Sequence, residues 1–208
     1  MKIVALGDGP LDACVAAAWG GLFPRCGSPC YCHYWHFEGK KNDWLERCAL
    51  RPEENRDAQL ALVRSGAPEA RGLVAMDDAV EPGEAIGWMK LAPRARLPKL
   101  RLQGAYRPLD LGSDDGIWSI GCLLVRPDRR HHGVARALID AATRHAMAWG
   151  RPESPARAIE AYPRGDTPGR GRLHDEEAWV GTQELFESCG FVRIAGEPAY
   201  PVMRKTLL

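Results

Sequence analysis

Residues 126–136 read Arg-Pro-Asp-Arg-Arg-His-His-Gly-Val-Ala-Arg. They lie between a continuous apolar run, 117–125, and a segment, 133–149, whose apolar residues recur at helical spacing. That succession predicts a buried strand, a tight turn and an amphipathic helix. The first turn of a helix presents backbone amides with no intrahelical partner and a partial positive charge, which together attract anions. Gly133 and Ala135 keep side chains out of a ligand's way, and Arg129, Arg130 and Arg136 add full charges. The chemistry expected here is capture of a phosphate or pyrophosphate. The alternative is a surface basic cluster that merely opens a helix. No Gly-Lys-Ser/Thr triplet follows a glycine-rich loop, so the segment is not a P-loop. Only Gly133 of the three dinucleotide-fingerprint glycines is present.

A second cluster, Cys26, Cys30, Cys32, His33 and His36, has metal-ligand residue types. Cys26 and Cys30 have half of a zinc spacing, but no second cysteine pair or His-x₃₋₅-His is nearby. Buried thiols among packing aromatics is the preferred reading, and a metal or redox sensor is the alternative. Cys122 and Cys189 are expected in the core.

Around these motifs the chain has 208 residues, enough to bury a core without staples. Its 28 basic and 27 acidic side chains nearly cancel, so bulk charge indicates neither a nucleic-acid nor a membrane partner. No apolar run is long enough to cross a bilayer, and Asp8 and Asp12 interrupt the N-terminal apolar stretch. Seven cysteines, an odd number at scattered spacing, fit a reducing, cytoplasmic setting. The pattern predicts a strand or arm at 2–5, a helix from Pro10 to Trp19, an aromatic-rich strand at 31–37, and helices at 43–49 and 53–64. A hairpin pairs 73–76 with 85–91. Residues 92–116 form a long loop with one helical turn, a length that usually marks function. After the strand and helix at 117–149 come a strand at 157–162, a loop at 163–176, a helix at about 178–189 and strands near 191–194 and 199–206. Strand, helix and strand with buried apolar strands imply a parallel crossover.

The hexapeptide Arg130-His131-His132-Gly133-Val134-Ala135 resembles the acyl-CoA signature of the GNAT acyltransferase superfamily, Arg/Gln-x-x-Gly-x-Gly/Ala. The preceding strand ending in Val-x-Pro, the following Ala-Leu-Ile and the block Leu185-Phe186-Glu187-Ser188-Cys189-Gly190-Phe191 are similar to that family too, over about 73–207. Cys30-Tyr31-Cys32-His33-Tyr34-Trp35, Gly87-Trp88 and Glu160-Ala161-Tyr162-Pro163 resemble a bacterial branch with a Cys-aromatic-Cys start.

The resemblance implies an α/β (α+β) GNAT fold: a mixed sheet of about six or seven strands, splayed at the acyl-CoA site and flanked by helices. It implies one domain over 1–208, with an N-terminal part at 1–70 and a core at 71–208. The implied activity is transfer of the acetyl group of acetyl-CoA to a primary amine by direct attack, without a metal, in a monomer or homodimer. Amides of 130–135 would hold the CoA pyrophosphate with Arg136 beside them, and the strand edge at Leu123, Leu124 and Val125 would pair with the pantetheine arm. Gly121 in mid-strand marks either a bulge that frees an N–H for the thioester carbonyl or room for a bulky neighbour such as Trp118. Many family members place a tyrosine acid in the late helix, where this chain has Phe186. Tyr162 is the substitute acid. Glu160, on the same strand face, is the candidate base, directly or through water. Phe186 also leaves a rival open, a non-catalytic acyl-CoA-binding module.

Overall fold

The structure is a computed structural model that describes residues 1–79, 83–165 and 179–207. The sequence-predicted loop beyond Gly165, with His174, Asp175, Glu176 and Glu177, therefore lies outside the described residues, as do 80–82 of the hairpin turn. The described strands are β1 (Lys2–Leu6), β2 (Gly72–Asp77), β3 (Glu84–Pro93), β4 (Ile117–Val125), β5 (Ala158–Ala161), β6 (Val192–Ala195) and β7 (Val202–Thr206). They form a mixed sheet in the order β1-β2-β3-β4-β5-β7-β6. β4 and β5 run parallel and the other described pairs antiparallel. The expected crossover joins the parallel pair, through helix α5 (Val134–Trp149). β1 pairs with β2, so the N-terminal part contributes a strand to the same sheet.

Two layers cover the sheet. α5 lays Leu138, Ile139, Ala142 and Ala146 on Met89, Leu91, Ile120 and Leu123, and the fully buried Leu138 and Ile139 contribute about 1.5–3 kcal/mol each. On the opposite face α1 (Ala13–Arg25) and α3 (Pro52–Arg64) bring Trp19, Phe23, Leu60 and Val63 against Trp88, Cys122 and Leu124. Asp12 caps α1 by accepting from the Val15 amide at 3.0 Å, and Pro52 occupies the first turn of α3. α2 (Lys41–Leu50) precedes α3. Among the described residues no helix is long and apolar enough to cross a membrane.

Three sequence expectations need correction. Residues 31–37 are not a strand: Tyr31 and Cys32 have φ of 45° and 55°, and a 3₁₀ turn follows at His33–His36. The aromatics there pack locally, Tyr31 stacking on Phe23 with centroids 4.6 Å apart, and β-propensity reflects the ability to pack rather than a backbone requirement. The first helix begins at Ala13 rather than Pro10, because Asp12 caps it, and runs on to Arg25 rather than Trp19. The long loop after β3 carries its expected helical turn as α4 (Pro98–Leu102), beside a 3₁₀ turn at Arg94–Arg96. The late helix α6 is short, Gln183–Ser188, because Gly181 sits at φ 83° and Thr182 caps the helix by accepting from the Leu185 amide.

Candidate active site

The turn after β4 is held in place by its own arginines. Arg126 locks its entry: its amide donates to the Ile86 carbonyl at 3.0 Å and its guanidinium bridges Asp128 and Glu84. Arg129 donates to Asp77 at 2.7 Å. Gly133 is the N-cap residue of α5 with φ 79°, and no side chain caps the helix. The first-turn amides of Val134, Ala135 and Arg136 thus have neither an intrahelical acceptor nor a cap. A Cβ at Gly133 would meet nothing within 4 Å, so the left-handed backbone rather than crowding is what favours glycine here. His131 turns the chain at φ 62°, and the His132 ring pairs with the Arg130 carbonyl at 2.6 Å. Arg130 itself donates to the Val125 carbonyl.

Arg136 departs from its expected place at this anion site. Its guanidinium donates to the carbonyl and hydroxyl of Ser188, at 3.0 and 2.7 Å, and so ties α5 to the end of α6. The expected pantetheine edge is also partly used, because the Leu123 amide donates to the Trp179 carbonyl at 2.9 Å. Trp179 itself lies in the turn before α6, outside the helix.

One strand inward, β3 pairs Lys90 with Cys122 but Leu91 with Ile120, which leaves Gly121 as the extra residue of a bulge. The bulge is therefore present, and the bulky neighbour beside this glycine is Trp35 rather than Trp118. The Trp35 indole Nε1 donates to the Gly121 carbonyl at 3.1 Å, and a Cβ on Gly121 would lie 2.9 Å from that nitrogen. β4 and β5 pair only as far as Ile120 and Ala161. Beyond the bulge they part, and a cleft of about 260 Å³ opens. Its walls include Trp35, Tyr106, Tyr162, Trp179 and Tyr200, with Gly121 from the sheet and the half-buried Arg164.

Behind Tyr162 lies a buried charge cluster. Glu160 is fully buried, and its carboxylate accepts from Arg94 at 3.0 and 3.1 Å, from Arg204, and from the Tyr162 hydroxyl at 2.5 Å. Arg94, also buried, donates in addition to Asp114 and to the carbonyls of Leu111, Gly112 and Ser113. Burial, and then the neighbouring carboxylate, push the Tyr162 hydroxyl well above its ordinary pKa, so it holds its proton. Ser119 lies 3.3 Å from that hydroxyl. The expectation of Glu160 as the amine's base therefore changes. Its oxygens are occupied by two cations and a phenol, it does not line the cleft, and it reaches the cleft only through Tyr162. Phe186 is fully buried, edge-on to Phe191 with centroids 5.1 Å apart, and brings no proton to the site.

The cysteine cluster is packed as the preferred reading has it. Cys32 accepts from the Trp88 indole at 3.1 Å, and Cys30 lies 3.4 Å from the Ser28 hydroxyl. Burial raises the Cys32 thiol, while a hydrogen bond with Cys32 and then burial raise Cys30. Burial lowers His33 to about 4 and His36 to about 3, so both rings are neutral near pH 7. Among the described residues no group of three or more His, Cys, Asp or Glu side chains is placed to hold a metal ion.

A helix start without a side-chain cap beside a bulged strand that parts from its parallel neighbour is the arrangement expected of an acyl-CoA-dependent transferase. A family model described as "Acetyltransferase (GNAT) family" matches residues 32–162, and the chain belongs to this family of acyltransferases. Its fold is similar to that of an aminoglycoside 6'-N-acetyltransferase solved with coenzyme A, at TM-score 0.54 and 14% identity over 100% of this chain and 98% of that one. A PaiA N-acetyltransferase from Thermoplasma acidophilum, also with coenzyme A, gives 0.53 and 12% over 99% of both chains. An N-acetyltransferase from Staphylococcus aureus Mu50 gives 0.52 and 11% over 100% of both. No curated protein matches the sequence.

Sequence reasoning missed most of the cleft. Arg94 and Arg204 stand 66 and 44 residues from Glu160, and no local pattern announces such pairs. Trp35, Tyr106, Arg164, Trp179 and Tyr200 reach the cleft from segments that share no local pattern.

Proposed function

We propose that this protein transfers the acetyl group of acetyl-CoA to a primary amine by direct attack within a ternary complex. The observation that carries this reading is the start of α5 at Gly133, without a side-chain cap, beside the bulge at Gly121. The pyrophosphate would rest on the amides of 131–135, and the pantetheine arm would follow Leu123, Leu124 and Val125 toward the bulge. The thioester carbonyl would then lie where β4 and β5 part. Its approach along β4 requires the Trp179 carbonyl to release the Leu123 amide, which can then polarise the thioester oxygen. The ammonium first gives one proton to solvent; the free amine nitrogen then forms a bond to the acetyl carbon, the C–S bond breaks, the nitrogen loses a second proton, and the CoA thiolate gains one. Tyr162 is the proton-bearing group on the cleft wall that can hydrogen-bond the reacting atoms, and Glu160 is its positioning residue. The likeness to coenzyme A-bound acetyltransferases supports the donor.

The seven cysteines are all unpaired, as in a reducing compartment, which supports a cytoplasmic location. The pairing of β1 with β2 supports one domain over 1–208.

The second reading, an acyl-CoA-binding module without turnover, is favoured by the buried Phe186. Calorimetric titration with acetyl-CoA, repeated on Gly133→Glu, tests the donor site. Micromolar binding, lost in a variant that keeps its circular dichroism, supports the reading; no binding at millimolar ligand overturns it. Release of CoA in the presence of an amine separates the enzyme from the binding module.

A further inference from the structure

The acceptor cleft has a lining that restricts its amine. Tyr106, Tyr162 and Trp35 are buried in its walls, and Trp179 and Tyr200 complete an aromatic enclosure. Among the described lining residues Arg164 is the charged one, and none of them is a carboxylate. The Arg164 guanidinium stacks on the Tyr200 ring at 4.2 Å, and among the described residues it pairs with no carboxylate. Stacking holds a guanidinium flat while leaving its N–H edge free to donate. The nearest buried carboxylate, Glu160, lies behind Tyr162 and is saturated by Arg94 and Arg204. The volume, about 260 Å³, lies below the range of roughly 300–1,000 Å³ that encloses drug-sized ligands, so the occupant is of amino-acid size.

We infer that the acceptor is a small monoamine with an aromatic or bulky apolar body and a carboxylate, its carboxylate paired with Arg164 and its body between the aromatic walls. This inference rests on the acetyltransferase reading for the reaction but not for the binding. A polycationic amine would meet a like charge at Arg164 and no described anion within the cleft. A zwitterion carries no net charge, and its anionic end satisfies the guanidinium through a charge-assisted pair. In an α-amino acid the amino group sits on the carbon that bears the carboxylate, so the pair with Arg164 also fixes the amine within the cleft that Gly121 lines.

The experiment uses phenylalanine, phenylethylamine (the same body without the carboxylate) and spermidine. Binding is read without acetyl-CoA from the fluorescence of Trp35 and Trp179, and turnover is read as acetyl-CoA-dependent CoA release. Phenylalanine is expected to bind roughly 10-fold more tightly than phenylethylamine, the worth of one charge-assisted hydrogen bond, with spermidine weaker than both. Arg164→Gln should remove the preference by weakening phenylalanine alone, and Arg164→Lys should retain part of it. Equal or tighter binding of phenylethylamine or spermidine overturns the inference, as does an unchanged preference in Arg164→Gln. Selective binding of phenylalanine with no CoA release leaves the acceptor class standing and overturns the transferase reading.

Discussion

Replacing Glu160 by Gln separates a positioning role from a proton-accepting one. The substitution keeps the shape of the side chain and removes one negative charge from a fully buried cluster. Breaking a buried ion pair by removing one partner costs about 3–5 kcal/mol, because the remaining charge is left uncompensated. Here Arg94 keeps Asp114 and three backbone carbonyls, and Arg204 is 28% exposed, so solvent shares the load. These residual partners bring the expected cost to about 2–3 kcal/mol, still well above the worth of an exposed pair. For a chain of this size each kcal/mol moves Tm by about 2–4 °C, so thermal unfolding should shift down by roughly 4–12 °C. If Glu160 only holds Tyr162, kcat should fall less than about 10-fold, with the acid limb of the pH–rate profile in place. The reasoning is refuted by a Tm within about 1 °C of the parent, or by a fall in kcat of roughly 100-fold or more with that limb lost, the signature of a removed base. The double variant Arg94→Met with Glu160→Gln should be less destabilised than the sum of the single changes, as coupled neighbours are.

Tyr162→Phe deletes the hydroxyl that bridges Glu160 and the cleft and leaves the ring in place. We expect kcat to drop by roughly 10- to 100-fold with KM for acetyl-CoA unchanged; full activity would remove the hydroxyl from the reaction. Acid should destabilise the fold through His33 and His36. Their folded pKa values, about 4 and about 3, lie below the unfolded value, so the unfolded chain binds more protons in that window. Stability should therefore fall as pH drops from about 6.5 toward 3 to 4, and His33→Gln with His36→Gln should flatten that part of a urea-midpoint curve against pH.

The parts of the fold that could be read from the sequence are those set by local periodicity. The apolar run at 117–125 is β4, and the helical spacing after Gly133 is α5, because a buried strand and a one-faced helix each leave their own repeat. The turn that opens α5 at Gly133 was legible for the same reason: its signal lies in consecutive residues. The 31–37 segment misread because its four aromatics, Tyr31, Tyr34, Trp35 and Phe37, have strand propensity yet pack around a left-handed turn. The aromatic cleft was hidden by distance along the chain. Trp35 reaches Gly121 across 86 residues, and the Glu160 cluster draws on Arg94, Asp114 and Arg204. Arg136 illustrates the converse, since a cation at the right spacing for a phosphate is committed to Ser188 by packing the sequence does not announce.

The bond from Trp35 to the Gly121 carbonyl also bears on how the molecule assembles itself. The hairpin of β2 and β3 joins nearby segments and can form early, whereas the indole must travel from the N-terminal quarter of the chain to the middle of the sheet. Loops that long cost entropy before any contact rewards them, and such contacts come late in folding. The sheet can therefore be built before the aromatic cleft is closed, and recovery of catalytic competence during refolding should lag behind recovery of secondary structure.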